Sequence, residues 1–527
     1  MRAICPAIAC HARASLRPLV NARKSLFEAP LTRGVLRPAT LHAMTLPGWI
    51  GIALVTLEAI VRAALVVRIV MRGIKPSVSL SWIIILFFFP LIGPFLYLLL
   101  GENRLGHRRA LRFERKTKNF NDDIETRWRK KNLEWNADDE CYAVLAKLGT
   151  ALGGMPPLKG NSLDLMDDAN LVLDRLKADI DNAKHHCHLL YYIWMPEGRG
   201  KEIGDALIAA AKRGVQCRVL VDWVGAKSFV SCAECARMRA AGVQVVGALP
   251  VGFLRMLFAR VDLRNHRKIS VIDGTIAYCG SQNLTDKTYR NRRRRKVGPW
   301  IDTTVRITGP AVQALQTVFL RDWAAETDES FKDGEVFYPA PQKTGTSIVH
   351  VVPSGPGPQP DSIRQAILSA VFGAREEIVM VTPYFVPDET MKTALMNASL
   401  RGVVVTLILP DTLDARLVEA ASRAQFQDLL DSGVKIALHP EGLLHAKTAT
   451  VDRKLAMVGS ANLDMRSFWL NFEITLFVYD GEFTDELRRQ QRQYLKESFE
   501  LDAARWRKRP FISRFVDNVA QLAGPLL

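Results

Sequence analysis

The chain has 527 residues, 48% of them hydrophobic, which is enough for two or three globular units and excludes a disordered protein. Its 71 Lys and Arg residues exceed its 54 Asp and Glu residues, and the net charge of +17 favours an anionic partner such as nucleic acid, acidic lipid or a phosphate-bearing substrate. Eight scattered cysteines exclude a dense disulfide framework and are typical of reduced cytoplasmic thiols.

The first 43 residues form a basic segment with seven Arg or Lys residues and a single acid, Glu28. Such a segment is typical of a cationic targeting extension. It is equally compatible with a start assigned too far upstream, because Met44 opens directly onto an apolar run. We therefore assign no fold to residues 1–43.

Two apolar runs predict a transmembrane helical hairpin within residues 44–103. The run 80–100 is free of charge and long enough to cross a hydrocarbon layer of roughly 30 Å as one helix. The run 46–67 is also mostly apolar, and its Glu58 and Arg62 are spaced to pair on one helix face.

The basic juxtamembrane segment 104–150 follows the hairpin. Its first part, 104–118, has seven Arg and Lys residues against one acid, Glu114. This positive-inside pattern predicts a multi-pass protein of the inner (cytoplasmic) membrane, with all downstream residues in the cytoplasm.

Cysteine and histidine residues approach metal-ligand spacing in two places. Cys232 and Cys235 form a CxxC pair, and Cys187 is flanked by His185, His186 and His188. A second CxxC pair is missing and both groups lie between helical and strand patterns, so we interpret them as packed residues rather than a zinc site. No metal or other cofactor is expected.

From about residue 160 the sequence alternates strand-like and helical patterns, which predicts an α/β fold with a largely parallel or mixed sheet. The same order occurs twice. In the first copy a buried strand (188–195) precedes an amphipathic helix (199–213) and an Arg-Gly-Val turn at Gly214; in the second copy the strand is 376–387, the helix 388–400 and the turn glycine Gly402. Pro and Gly residues crowd 339–359, which predicts a linker (339–360) between domains 151–338 and 361–527.

Each copy ends in the same chemically active cluster at identical spacing. The first cluster is His266, Lys268, Asp273, Gly280, Ser281 and Asn283, and the second is His445, Lys447, Asp452, Gly459, Ser460 and Asn462. His and Lys two residues apart fall on one face of a strand, because side chains alternate with period two. The Lys, Ser and Asn side chains suit phosphate oxygens, and Gly removes a side chain where backbone and ligand approach.

The motif aspartates, Asp273 and Asp452, have two interpretations. The motif places them beside His and Lys as catalytic residues, but each also ends a strand just before a tight turn. Because Asp is a preferred turn residue, we favour the structural role for both.

These residues are paired HxKxxxxD motifs, and on them the chain resembles the phospholipase D superfamily. The segments RNHRKISVIDG, WIDTTVRITGPAV, FLRDW, GLLHAKTATVD and GSANLDMRSFWLNFEI are similar to the cardiolipin synthase branch, and the resemblance extends from about residue 46 to the end. It implies two homologous phospholipase D-like α/β/α sandwich domains that share one interface site. It also implies transfer of a phosphatidyl group between two phosphatidylglycerols with release of glycerol.

The resemblance assigns roles to the site residues. His266 is expected to attack phosphorus and His445 to act as acid and base, by analogy with family members in which the N-terminal motif supplies the nucleophile. Asp302 and Glu473 follow the two GSxN turns in matching strands and are expected to orient the histidines. Ser281, Asn283, Ser460 and Asn462 are expected to bind substrate.

The expected partners are anionic phospholipids, phosphatidylglycerol and cardiolipin, at a bilayer, and no nucleic acid is expected. A hydrolytic phospholipase D or a phosphatidylserine synthase would share the site and use water or serine. A nuclease and a noncatalytic lipid-binding scaffold are further alternatives. The chain departs from the family at the arginine-rich run 290–296, which is either a solvated loop or a site that gathers anionic lipid.

Overall fold

The computed structural model describes residues 48–73, 76–102, 128, 134–135, 140–252, 260–288, 297–327, 329, 331, 337–356 and 361–524. The basic extension 1–43, most of the basic segment 104–139 and the arginine-rich run 290–296 lie outside these residues.

Within these residues, the helices are α1 (Gly48–Met71), α2 (Pro76–Phe88), α3 (Ile92–Leu100), α4 (Glu140–Gly153), α5 (Ala169–Asp181), α6 (Gly198–Lys212), α7 (Lys227–Val230), α8 (Ala233–Ala240), α9 (Ala311–Glu326), α10 (Ser362–Gly373), α11 (Glu389–Leu400), α12 (Arg416–Asp431), α13 (Met465–Trp469), α14 (Gly481–Glu497), α15 (Ala503–Arg507) and α16 (Phe511–Gln521).

The strands are β1 (Leu158–Met166), β2 (His186–Tyr191), β3 (Gln216–Asp222), β4 (Gln244–Ala248), β5 (Arg264–Asn265), β6 (Ile269–Ile272), β7 (Ile276–Gly280), β8 (Trp300–Ile301), β9 (Thr304–Thr308), β10 (Ser347–Ser354), β11 (Glu377–Val381), β12 (Phe385–Val386), β13 (Val404–Pro410), β14 (Lys435–His439), β15 (Leu443–Leu444), β16 (Thr448–Val451), β17 (Leu455–Gly459), β18 (Leu463–Asp464), β19 (Asn471–Tyr479) and β20 (Phe499–Glu500).

The N-terminal apolar runs form one long helix and two short ones. In the described part of the chain, α1 alone is long and apolar enough to cross a membrane, over Trp49–Met71 with mean hydropathy 2.2. The second run breaks around Pro90 into α2, with 13 residues, and α3, with 9 residues. Proline lacks the N–H that a continuous helix needs, and about 20 apolar residues are required for a span. The second span of the hairpin therefore stays a prediction.

The C-terminal part of α1 packs against α2 and α3. Leu65, Ile69, Leu86 and Tyr97 form a small buried apolar cluster. Arg68 donates from Nε to Glu102 Oε1 at 2.6 Å, and the Tyr97 hydroxyl donates to the same carboxylate at 2.9 Å. These contacts join the C-terminal part of α1 to Glu102, the second residue after α3.

The predicted repeat is confirmed by the strand order of the sheet. The first half has the order β1-β9-β7-β6-β2-β3-β4, and the second half has the equivalent order β10-β19-β17-β16-β11-β13-β14. The antiparallel pair β1 and β10, with Leu158 opposite Val349, joins the two into one sheet. The parallel pairs β2–β3 and β3–β4 beside the antiparallel pair β6–β7 make the sheet mixed, as predicted.

Helices cover both faces of the sheet. Along β2, Leu189 and Tyr191 join a buried cluster with α5 and α6, whereas Leu190 between them joins a cluster with α9. This alternation follows from the period-two geometry of a strand buried on both sides. The α/β/α arrangement is confirmed.

Both predicted glycine stops end their helices in the same way. Gly214 and Gly402 each have φ of +92°, a left-handed conformation that glycine adopts without strain. The next residues, Val215 and Val403, donate backbone N–H groups back to Ala210 and Ala398 at 3.1 Å.

Two segments differ from the predicted domain organisation. The stretch 339–360, predicted as a linker, contains β10, which pairs with β1 on one side and β19 on the other. The alternating apolar residues of β10 provide a strand pattern that the flanking Pro and Gly residues obscured. The segment 104–150 likewise includes most of α4, whose Leu145 packs in the core of the second half.

Candidate active site

Two short strands carry the motif histidines across the boundary between the halves. β5, just before His266, pairs in parallel with the start of β19, and β15, just before His445, pairs in parallel with β8. The His266 N–H consequently donates to Phe472 O at 2.9 Å, and the His445 N–H donates to Ile301 O at 2.8 Å. Each histidine therefore lies beside the carboxylate-bearing segment of the opposite half.

The HxK residues do not themselves lie within a strand, which corrects the prediction from their spacing. His266 to Lys268 lie between β5 and β6, and His445 to Lys447 lie between β15 and β16. The reason is that the chain changes pairing partners at this point, leaving the other half and joining the main sheet of its own.

Each histidine has its carboxylate partner in the other half. His266 Nδ1 lies 3.0 Å from both carboxylate oxygens of Glu473, and His445 Nδ1 lies 2.6 Å from Asp302 Oδ1. A hydrogen bond to an ionised carboxylate requires the proton on Nδ1, which leaves the Nε2 lone pair of each imidazole available. The two predicted orienting residues thus contact the histidines, and each contacts the histidine of the other half.

The motif serines hold these carboxylates. Ser281 Oγ donates to Asp302 Oδ1 at 2.6 Å, and Ser460 Oγ donates to Glu473 Oε2 at 2.5 Å. The Thr303 and Ile474 N–H groups donate to the serine oxygens at 3.0 Å. The structure therefore gives both hydroxyls a positioning contact that the sequence did not indicate, and their predicted contact with substrate remains a prediction.

The motif glycines lie where the neighbouring strand approaches closely. A Cβ atom on Gly280 would lie 2.3 Å from Thr303 O, and one on Gly459 would lie 2.3 Å from Ile474 O. Because glycine has no side chain, the backbone of the carboxylate-bearing segment can approach it closely. This approach brings the N–H and hydroxyl of the following serine into contact with that segment.

The motif asparagines are buried at the ends of the GSxN turns. Asn283 Oδ1 accepts from the Ile193 N–H at 3.0 Å, and Asn462 Nδ2 donates to Asp464 Oδ2 at 3.1 Å. Asn283 and Lys268 both line one small cavity.

Both motif lysines are buried in the site. Lys268 Nζ donates to His266 O and Lys447 Nζ donates to His445 O, each at 2.5 Å. Burial lowers the pKa of Lys268 to about 8, against the opposing effect of Glu473. Burial also lowers the pKa of Lys447 to about 7, against the opposing effect of Asp302. An anionic ligand bound beside these lysines would therefore stabilise their ammonium forms and raise both pKa values.

The site favours the neutral form of its imidazoles and the ionised form of its carboxylates. Burial lowers the pKa of His266 and of His445 to about 4, and the neighbouring lysines add to the effect. Burial alone would raise the pKa of Asp302 and Glu473, but the histidine beside each, a motif lysine and a serine hydroxyl together hold it below its ordinary value. At neutral pH the site thus has neutral imidazoles next to ionised carboxylates.

The motif aspartates lie away from this chemistry. Asp273 accepts from the N–H groups of Lys184, His185 and His186 at 2.7 to 2.9 Å. Asp452 accepts in the same way from Arg375, Glu376 and Glu377 at 2.8 to 3.0 Å. Each aspartate thus ties its turn to the start of the neighbouring antiparallel strand, β2 in the first half and β11 in the second, as the structural interpretation predicts.

Sequence reasoning missed two aromatic contacts. The Tyr192 ring lies edge-on to His266 with centroids 4.9 Å apart, and the Trp300 ring lies 4.4 Å from His445. The available signal was local, since Trp300 precedes the orienting Asp302 by two residues and Tyr192 directly follows the buried strand β2.

A buried ion pair supports the first histidine only. Arg267 donates to both oxygens of Asp322 at 2.6 and 2.7 Å, and its Nε donates to Glu473 O at 2.9 Å. Ala446 occupies the equivalent position of the second motif. Arg267 therefore braces the backbone that carries Glu473, which makes the two halves unequal.

The cysteine and histidine clusters form no metal site in the residues that the structure describes, since no three His, Cys, Asp or Glu side chains are grouped to hold an ion. Cys235 is buried in α8, and His186 packs against His188 with ring centroids 4.5 Å apart. The absence of a metal site stays a prediction for both groups.

The sequence matches the family described as "Cardiolipin synthase, PLD-like domain" over residues 176–323 and 367–495, which include both motifs. Residues 60–102 match the family described as "Phospholipase_D-nuclease N-terminal".

Among curated proteins, the chain is similar to cardiolipin synthase A of Erwinia tasmaniensis, with 39% identity over 472 residues, 88% of this chain and 96% of that protein. It is equally similar to cardiolipin synthase A of Yersinia pseudotuberculosis, with 39% identity over 469 residues and the same coverage. Among solved structures, phosphatidylserine synthase of Haemophilus influenzae has the same fold, with TM-score 0.56 and 14% identity, covering 73% of this chain and 100% of that one.

Proposed function

The chain belongs to the cardiolipin synthase family of the phospholipase D superfamily, and on that premise we propose that it transfers a phosphatidyl group from one phosphatidylglycerol to another through a phosphohistidine at His266. The observation that carries the proposal is the pair of buried imidazoles, each held by a carboxylate of the other half, beside two lysines. Such an arrangement supplies a nucleophile, an acid and a cationic phosphate site together.

In the first step, Nε2 of His266 attacks the phosphorus of phosphatidylglycerol and the bond from phosphorus to the glycerol oxygen breaks. His445, protonated on Nε2, gives its proton to that oxygen, and glycerol leaves. Glu473 stabilises the charge that develops on His266, as the carboxylate of a catalytic triad does.

In the second step, the same groups work in reverse. Neutral His445 removes the proton from the head-group hydroxyl of a second phosphatidylglycerol, and the alkoxide oxygen attacks the phosphohistidine. The bond from phosphorus to nitrogen breaks, which frees His266 and forms cardiolipin. Atoms and protons balance over the two steps, and one phosphodiester replaces another, so no nucleotide-activated lipid is required.

Charge compensation explains how an anion is attacked here. Lys268 and Lys447 neutralise the nonbridging oxygens, where charge is greatest in the transition state. The bound phosphodiester also raises the pKa of both histidines, because an adjacent negative charge favours imidazolium. His445, whose pKa lies near 4 in the empty site, thereby becomes able to hold the proton that it must donate.

The choice of His266 as the nucleophile is supported by accessibility. Its side chain is 12% exposed, against 4% for His445, so it is the more open of the two to an incoming head group. The support of the Glu473 backbone by Arg267 fixes the same histidine more firmly.

We further propose that α1 and the broken second run together anchor the chain in the inner membrane with the catalytic halves in the cytoplasm. Under this proposal both substrates arrive laterally from the bilayer, which favours a lipid hydroxyl over water as acceptor. The run 290–296 is proposed to gather anionic lipid beside the first motif, each cation contributing about 1 kcal/mol.

The proposal is tested by trapping the intermediate. Phosphatidylglycerol labelled in its phosphatidyl phosphate is mixed with full-length enzyme and quenched in alkali, which preserves phosphohistidine, and the labelled peptide is identified. Label is expected on His266 and is expected to be absent from the His266→Ala variant. Label on His445 instead would reverse the roles, and a wild-type enzyme that turns over without label on either would remove the covalent mechanism.

A further inference from the structure

The last described helix, α16, presents its apolar side to solvent. Its outward residues are large, apolar and between 49% and 81% exposed: Phe511, Ile512, Phe515, Val516, Val519 and, one residue past its end, Leu522. Phe511 and Phe515 stack with ring centroids 6.2 Å apart and so form a continuous surface. A helix at the surface of a water-soluble domain has the opposite orientation, with its apolar face inward.

The opposite face of α16, with its small and polar residues, holds the helix to the protein. Asp517, Ala520 and Gly524 are buried. Ala520 packs with Val386 of β12 and with Ala421 of α12. Arg509 forms an ion pair with Asp517, with its guanidinium nitrogen 2.7 Å from the carboxylate oxygen. The same guanidinium group lies 3.8 Å from the centroid of the Trp506 ring. The helix is therefore fixed in this rotation by specific contacts, and its apolar face points outward as part of the fold.

The surroundings of this face are cationic. Between residues 503 and 524 there are five Arg and Lys residues and one acid, Asp517, which is buried and paired inward. Lys508 and Arg514 are exposed, and so is Arg507, which forms an ion pair with Asp431 at 2.6 Å. An apolar stripe bordered by cations complements an anionic lipid surface, whose acyl chains lie just below its negative head groups.

The length of α16 fixes how it meets such a surface. Its 11 residues extend about 16 Å, which is half the thickness of a hydrocarbon layer of roughly 30 Å. A helix this short lies in the plane of the interface, with its apolar face at the boundary of the acyl chains.

The end of the helix and the residues just after it also contact the elements that adjoin the second GSxN turn. A Cβ atom on Gly524 would lie 3.5 Å from Val386 and 3.6 Å from Met465, the first residue of α13. Val386 is in β12, which pairs with β18, the strand that directly follows Asn462. A surface that held α16 would therefore also hold the second GSxN turn, whose Ser460 positions Glu473.

We propose that α16 docks flat on the anionic bilayer surface through the face of Phe511 to Leu522, and holds the second catalytic motif at the level of the lipid head groups. This docking is distinct from anchoring by α1, which keeps the chain in the membrane whether or not α16 touches it. It also goes beyond the proposed transfer reaction, and its test requires no turnover.

The test uses the full-length chain in bilayer nanodiscs of phosphatidylcholine with about one third phosphatidylserine, an anionic lipid that offers no glycerol hydroxyl. A phospholipid with a photoreactive acyl chain is included, and cross-linked peptides are mapped after illumination. We expect cross-links on the peptide spanning 511–522, and fewer in nanodiscs of phosphatidylcholine alone.

The matched variants change only exposed positions, so the fold should survive and the melting temperature checks that it does. Phe511→Ser with Phe515→Ser should lower cross-linking at the neighbouring Val516 and Val519 at least about fivefold, since apolar area drives interfacial binding. Asn518→Ser, an exposed polar position of the same helix, should leave it unchanged. Three results would each overturn the proposal. They are a wild-type helix without lipid cross-links, undiminished cross-linking in the double variant, and cross-links from the helix to a second copy of the chain.

Discussion

Glu473 of the second half accepts a hydrogen bond from His266 of the first half, with Nδ1 3.0 Å from both carboxylate oxygens. The reciprocal contact joins His445 to Asp302 at 2.6 Å. In neither half does the motif histidine pair with the carboxylate of the same half. The duplicated halves therefore form a single catalytic unit.

We expect Glu473→Gln and Asp302→Asn each to lower kcat on the order of 10³-fold, because an amide fixes the wrong imidazole tautomer and cannot stabilise its charge. Initial rates of cardiolipin formation by purified, folded variants provide the measurement. Glu500→Gln, a change to an exposed carboxylate, is the matched control and should retain full activity.

Mixing His266→Ala with His445→Ala protein should restore no activity, because both motifs belong to one chain. Recovery on mixing would show that the exchanged contacts form between two chains.

The repeat and both HxK motifs could be predicted from the sequence, because each depends on local pattern and on equivalent positions in two copies. The two carboxylates were indicated by their matching positions together with the resemblance to the phospholipase D superfamily. It did not predict which carboxylate serves which histidine. That depends on β5 and β15, two-residue strands that pair with the opposite half and have no periodicity of their own. The contact of Ser281 with Asp302 was missed for a related reason, since it requires the close strand approach at Gly280.

The motif aspartates should affect stability rather than chemistry. Asp273→Ala removes the acceptor for three backbone N–H groups and should destabilise the fold by about 1–3 kcal/mol. Asp273→Asn should cost less, because Asn keeps one acceptor and tolerates the left-handed conformation at φ +52°. Thermal unfolding, with activity per folded molecule, provides the measurement.

The same order is expected at Asp452, where φ is +50°. An Asp273→Asn protein that melts like wild type but is inactive would assign this residue to catalysis.

The activity should fall as pH rises through the lysine pKa values. Lys447 titrates near 7 and Lys268 near 8, and each binds phosphate only as the ammonium, so kcat/KM should decline above pH of about 7 and more steeply above about 8. The alkaline decline of kcat should occur at higher pH than the decline of kcat/KM, because bound phosphodiester raises the pKa values of both lysines.

A pH profile measured on phosphatidylglycerol in mixed micelles provides the test. Lys447→Arg keeps the charge at all these pH values and should move the alkaline limb upward, whatever its absolute rate. A kcat/KM that is level to pH 9.5, well above the lysine values, would show that neither ammonium group is needed.

Chelation should leave the chemistry intact, because the two lysines supply the charge compensation that metal ions supply in other phosphoryl-transfer sites. We expect EDTA in detergent to change the rate by less than about twofold. Complete loss of activity that one specific metal restores would contradict this and would return attention to the Cys and His residues around Cys187 and Cys232.

The account is tested most directly by giving the purified full-length chain phosphatidylglycerol as its sole lipid and identifying the products by mass. Cardiolipin and glycerol should appear in equal amounts, and excess glycerol should convert labelled cardiolipin back to phosphatidylglycerol, because the covalent intermediate exchanges one phosphodiester for another. Formation of cardiolipin only when CDP-diacylglycerol is added, or phosphatidic acid as the main product, would contradict the transfer between two phosphatidylglycerols.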